Sequence, residues 1–89
     1  MQRRTYHFSG RVQGVGFRYT AQNIAMRHDV HGYVRNLPDG RVELVMEGDE
    51  REMDDIVRSL RQRMEGYVKK IESQAAPATG EFQQFCIKH

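Results

Sequence analysis

The stretch Phe8-Ser9-Gly10-Arg11-Val12-Gln13-Gly14-Val15-Gly16-Phe17-Arg18 sets the reading of everything around it. It begins as an extended run, passes through three glycines and reaches an arginine where an amphipathic pattern starts. The first turn of a helix has N–H groups without internal acceptors, so a strand–glycine loop–helix junction gathers donors into one concavity. Glycine permits positive φ and leaves room for a ligand. The helix N-terminus adds partial positive charge, and Arg18 adds a full charge on a planar fork of donors. Together these suit a small anion, phosphate above all. Two familiar nucleotide loops do not fit. No Lys-Ser/Thr closes the loop as in a Walker A motif, and Gly10-x-x-x-Gly14-x-Gly16 lacks the spacing of the dinucleotide fingerprint.

Outward from this loop, Arg4–Gly10 reads as a strand with Tyr6 and Phe8 on one face. A helix is predicted from Arg18 to about His28, with Phe17, Ala21, Ile24, Ala25 and His28 in one buried stripe. His28, at the end of that stripe, reads as a packing or capping residue rather than a ligand. His31–Asn36 is the second strand, Leu37-Pro38-Asp39-Gly40 a turn, and Arg41–Glu47 the third strand, with Val42, Leu44 and Met46 on one face. Asp49 and Glu52 resemble a capping box. They open a second helix with Met53, Ile56, Val57, Leu60 and Met64 in its apolar stripe. Arg51, Asp54, Asp55, Arg58 and Arg61 form a solvated face, and Gly66 ends the helix.

Tyr67–Gln74 is a fourth strand, where the three-residue spacing of Val68 and Ile71 predicts a bulge or twist. Ala75–Gly80 reads as a small-residue loop. Phe82–Lys88 reads as a last strand, with Phe85 and Ile87 on one face and Cys86 opposite. The order is β-α-β-β-α-β plus a C-terminal strand. With right-handed crossovers this predicts an α+β fold, a ferredoxin-like α/β sandwich. One antiparallel sheet carries two helices on a single face, with strands one and three side by side at its centre. The loop after strand one and the end of strand two then share one end of the sheet.

The 89 residues suffice for a single domain, 1–89, with one core. With 38% apolar and 29% charged residues the chain belongs with small folded domains rather than disordered ones. No apolar run reaches membrane length, and Met1-Gln2-Arg3-Arg4-Thr5 opens no signal-peptide core. Cys86 is the only cysteine, which excludes an intrachain disulfide and any CxxC motif and makes a cytoplasmic location the expectation. A net charge of +2 gives no argument for nucleic acid. Its distribution is more informative: residues 1–41 carry seven arginines against two aspartates, while residues 42–89 carry seven basic and ten acidic side chains. The glycine loop lies in the positive half, as suits an anionic ligand.

Two motifs carry a family resemblance. Gly10-x-Val12-Gln13-Gly14-Val15-x-Phe17-Arg18 resembles the first diagnostic motif of the acylphosphatases. Gly32-Tyr33-Val34-Arg35-Asn36-x-x-x-Gly40-x-Val42, followed by Gly48, resembles the second. The resemblance extends over the whole chain to the Phe85-x-Ile87 ending. It implies hydrolysis of the carboxyl–phosphate bond of acyl phosphates. It implies Arg18 and Asn36 as catalytic residues, and the backbone amides of Gln13, Gly14, Val15, Gly16, Phe17 and Arg18 as the phosphate cradle. Similar proteins often have a Gly-Pro turn before strand four; this chain has Arg63-Met64-Glu65-Gly66-Tyr67 there.

Such chemistry needs few groups. The leaving carboxylate has a conjugate acid of pKa about 4 and departs without a proton. Phosphoryl transfer runs through a loose transition state with charge spread over the equatorial oxygens, so positioning and electrostatics remain. Arg18 and the loop amides are expected to hold those oxygens, and the Asn36 amide to orient the attacking water. No metal, organic cofactor or covalent intermediate is expected, and His7, His28, His31 and His89 show no ligand spacing. Arg11, Arg35 and Arg41 read as solvated surface charges.

The expected partner is a small-molecule acyl phosphate, with no nucleic acid and no membrane, acted on by a monomer. Other functions of the topology fit less well. RNA binders stack bases on aromatics of the central strands, and Arg41–Glu47 has none. Metal carriers need a cysteine pair. A third reading is an acylphosphatase-like domain cut from, or working with, a larger carbamoyl-transfer protein. The start at Met1 and the end just after the last strand favour a free-standing enzyme.

Overall fold

Alternation along the first strand sends Tyr6 and Phe8 into the core, both at most 5% exposed. Across the sheet the same side is continued by Val42, Leu44 and Met46 and by Val30 and Val34, all buried in one cluster with the apolar stripes of two helices. A computed structural model describes all residues, Met1–His89, as β1 (Gln2–Gly10), α1 (Phe17–Ala25), β2 (Val30–Asn36), β3 (Val42–Gly48), α2 (Glu50–Arg63), β4 (Val68–Pro77) and β5 (Phe85–Ile87). The sheet order is β4-β1-β3-β2-β5, with β1 and β3 adjacent at the centre as expected. Phe8 and Asn36 both stand opposite Val42, one on either side of β3. That row places Asn36 at the sheet end from which β1 enters the glycine loop.

The helices follow their stripes. Phe17, Ala21, Ile24 and Ala25 are buried on α1, and Met53, Ile56 and Leu60 on α2. Burying each Phe, Ile, Leu or Met of these stripes contributes about 1.5–3 kcal/mol, so the two stripes dominate what holds the helices down. Helix α1 stops at Ala25, before His28, because the Arg27 and His28 N–H groups tighten onto the Ile24 and Ala25 carbonyls at 3.1 and 3.0 Å. The capping box at α2 is half made. Asp49 caps by accepting from the Arg51 N–H at 3.3 Å, but Glu52 meets the His28 ring at 3.0 Å and so joins the end of α1 to the start of α2. The face of α2 read as solvated is partly engaged: Asp54 pairs with Arg4 on β1 at 2.6 Å, and Glu50 in the first turn of α2 pairs with the same arginine at 2.6 Å.

The differences from the sequence reading concern the edges. Residues Ala75–Pro77 continue β4 instead of forming a loop, because β1 begins already at Gln2 and pairs with them. The irregularity expected in β4 is present, with the register slipping between Ser9–Lys70 and Gly10–Val68. The C-terminal strand is shorter than expected and runs parallel to β2, so the sheet is antiparallel over four strands and mixed at one edge. Phe82 lies outside that strand because its ring packs on Tyr33, 5.8 Å between centroids, with the Arg3 guanidinium 4.8 Å from it on the face opposite the helices. At the join before β4, Gly66 takes φ 89 and the Tyr67 N–H closes the turn on the Met64 carbonyl at 3.0 Å, without a Gly-Pro pair.

Glu47 latches the segment between β4 and β5 onto that second face. Its carboxylate, 7% exposed as a residue, accepts from the Thr79 and Gly80 N–H groups, the Thr79 hydroxyl and the Arg3 Nε at 2.8–3.0 Å. Burial pushes this carboxyl up, but the hydrogen bonds from the Thr79 N–H, Arg3, the Gly80 N–H and the Thr79 hydroxyl outweigh it and hold the group down to about 2. In the unfolded chain a glutamate titrates at about 4.3. The latch is therefore fully effective above that pH and is lost as pH falls from there through about 2. Glu47→Gln is expected to lower stability at neutral pH by roughly 2 kcal/mol and to flatten the acid limb of Tm against pH. Thermal melts of both proteins from neutral to acid pH check this; an unchanged acid limb would remove Glu47 from the account.

Candidate active site

The glycine loop is shaped by its backbone. Gly14 and Gly16 have φ 77 and 79, and a Cβ built on either meets no atom within 4 Å. Left-handed backbone, not crowding, demands glycine at both, and the space beside them is open. Gly16 is the N-cap of α1, with no side chain capping it and no acid in the first turn. The Arg11 N–H pairs with the Tyr67 carbonyl at 2.9 Å, and the Thr20 N–H with the Gly16 carbonyl at 3.0 Å. No backbone N–H between these two finds an acceptor in the protein. Val12 and Phe17 are 1% and 2% exposed, and Phe17 packs on Phe8 at 4.9 Å between centroids, so the loop is anchored at both ends.

Val12, Gly14, Gly16, Phe17, Arg18, Tyr19 and Asn36 line one cavity of about 170 Å³. The two side chains singled out from the sequence, Arg18 and Asn36, thus come together with the two left-handed glycines. Gln13 and Val15 belong to the loop but do not line the cavity. Val15 leans on the core. The Gln13 side chain turns to the β2–β3 turn, where its Nε2 donates to the carbonyls of Leu37 and Arg41 at 2.8 and 2.9 Å.

Positive charge at this cavity is uncompensated. No acidic residue precedes Asp29 in the chain. Arg35 and Arg41 are occupied by Glu43 and Asp39 at 2.8 and 2.7 Å. Arg18 has no carboxylate partner; its Nη1 meets the His89 Nδ1 at 3.3 Å. The sequence reading gave the histidines no part, and the contact of His89 with Arg18 is one it did not foresee. In parallel register Gly32 faces Phe85 and Val34 faces Ile87, which brings His89 level with Asn36. An antiparallel last strand hides that neighbour.

A larger cavity of about 630 Å³ lies beside α2 and is lined by Arg4, Tyr6, Asp54 and Arg58 among others. Its Arg4 and Arg58 are already paired, with Glu50 and Asp54 and with Asp55, and its one unpaired arginine, Arg61, shares the lining with Asp54 and Glu65, so it offers an anion less than the glycine loop, whose lining holds no acid. No three His, Cys, Asp or Glu side chains are grouped to hold a metal ion, and no helix is long and apolar enough to cross a membrane.

Comparisons with known proteins agree with the motifs. The family profile described as Acylphosphatase matches residues 4–87. The acylphosphatase of Paenarthrobacter aurescens is 45% identical over 86 residues, covering 96% of this chain and 92% of that protein. The crystal structure of acylphosphatase from Bacillus subtilis matches with a TM-score of 0.92 at 32% identity, covering 100% of both chains. The HypF structure from T. kodakarensis matches with a TM-score of 0.85 at 33% identity, but there the fold is 12% of a much longer chain. Relatives of nearly the same length, matched from β1 through β5, leave one conclusion: the chain belongs to the acylphosphatase family and is an enzyme that hydrolyses the carboxyl–phosphate bond of small acyl phosphates.

Proposed function

We propose that hydrolysis proceeds here with no protein general acid or base. Arg18 and the N–H groups of Gln13–Arg18 hold the three phosphoryl oxygens, and Asn36 sets the attacking water in line with the departing carboxylate. What supports this is the meeting of Arg18 and Asn36 in one small cavity whose backbone donors have no acceptor in the protein. Donors fixed in place before the reaction stabilise developing charge without reorganisation. The Asn36 amide can accept from and donate to a water but cannot take its proton. The proton goes instead to a phosphoryl oxygen of the substrate, which becomes the inorganic phosphate product. The enzyme works as a cytoplasmic monomer without metal or cofactor.

Leaving-group dependence tests this reading. Benzoyl, acetyl and carbamoyl phosphate are expected to be turned over. Phenyl phosphate, whose phenoxide has a conjugate acid near pKa 10, is expected to be slower by roughly a thousandfold or more. Comparable rates on phenyl phosphate would mean that the site protonates its leaving group, and the acid-free reading would fall.

A further inference from the structure

The mechanism above uses the backbone of Gln13 and leaves its side chain unexplained. Both hydrogens of that carboxamide are committed across the molecule. Nε2 donates to the Leu37 carbonyl at 2.8 Å and the Arg41 carbonyl at 2.9 Å, the two residues that bracket the turn after Asn36. The same two residues are bonded to each other, the Leu37 N–H to the Arg41 carbonyl at 2.8 Å. One side chain of the glycine loop thus spans the mouth of the β2–β3 hairpin. Asn36 lies next to Leu37, and its strand partner is Val42, next to Arg41.

We infer that Gln13 is a positioning residue, a strut that sets the separation between the phosphoryl group in the loop and the water at Asn36. The inference rests on the roles given above to the loop and to Asn36. Beyond the β1–β3 ladder, which ends at Phe8 and Val42, these are the hydrogen bonds that join the loop to the hairpin. Two bonds in fixed directions resist the sliding that apolar contact alone permits. In-line attack is steep in distance: a shift of about 1 Å can cost about a hundredfold in rate. Phosphate binding depends on the loop alone and is insensitive to where the hairpin sits. A strut therefore appears in kcat and not in phosphate affinity.

Glutamate at this position gives the sharper test. Ionised, Gln13→Glu presents oxygens to two carbonyl oxygens and repels the turn. Protonated, it regains one O–H donor and half of the strut. Burial beside two carbonyls raises the pH at which that proton is held. The experiment measures kcat on benzoyl phosphate and the inhibition constant of inorganic phosphate for the wild type, Gln13→Ala and Gln13→Glu, at pH 7.5 and pH 5, each variant referred to wild type at the same pH.

The expected result is a loss of roughly tenfold to a hundredfold in kcat at the higher pH for both variants, with phosphate inhibition constants changed less than about threefold. At the lower pH Gln13→Glu recovers part of its deficit and Gln13→Ala does not. Unchanged kcat in both variants overturns the strut. So does parallel loss of turnover and phosphate affinity, which would make Gln13 a support of the loop itself. So does a deficit in Gln13→Glu that ignores pH. In the wild type, slow exchange of the Gln13 carboxamide protons by NMR reports the strut without any turnover. Protected protons in a protein that hydrolyses no acyl phosphate would sink the functional reading and leave the strut standing.

Discussion

Replacing Arg18 by alanine is expected to cut turnover of benzoyl phosphate by at least roughly 10²–10³ and to weaken inhibition by inorganic phosphate in parallel. Arg18 is the only charged side chain lining the small cavity, and no carboxylate neutralises it. The guanidinium also supplies two donors in a fixed plane, which matches the edge of a phosphoryl group. Arg18→Lys keeps the charge and loses the fork, so it is expected to recover little. The fold gives no reason for collapse in either variant. The Arg18 side chain makes a single exposed contact, to His89, and the buried stripe of α1 does not include it. Tm is therefore expected to stay near that of the wild type. An Arg18→Ala protein that keeps most of its hydrolysis would remove the residue from the reaction.

Asn36→Ala is expected to separate binding from turnover. In the proposed roles the phosphate cradle is intact, so inhibition by inorganic phosphate is expected to change little. The water loses its guide, and kcat falls by roughly a hundredfold. The backbone of Asn36 continues to pair with Val42, which keeps the end of β2 in place. Steady-state kinetics with phosphate as competitor read both quantities in one experiment. Equal loss of affinity and turnover would assign Asn36 to the anion instead of the water.

What the sequence disclosed follows from where burial writes a period. The stripe Met53, Ile56, Leu60 is legible because one face of α2 is packed, and Val42, Leu44 and Met46 because they face the helices while the other face of β3, also covered, carries Glu43 and Glu47. The Ala75–Pro77 end of β4 is not, because an exposed edge strand carries no apolar rhythm. The direction of β5 is not either. Alternation of Phe85 and Ile87 is the same whether a strand runs with its neighbour or against it. The loop was readable because glycine at Gly14 and Gly16 is a backbone requirement, visible without any partner. The reach of Gln13 and the place of His89 were not readable. Their partners lie 24, 28 and 71 residues away and depend on the folded sheet.

The run without acids before Asp29 acts beyond the cavity it surrounds. Helix α1 carries one charge, and that charge is Arg18. A dianion approaching the cavity meets an excess of positive charge, since Asp39 on the neighbouring turn is already paired with Arg41, and the low-dielectric core behind the loop focuses it. Capture from dilute solution is thereby guided, and added electrolyte slows the encounter while leaving the bound complex to react at its own pace.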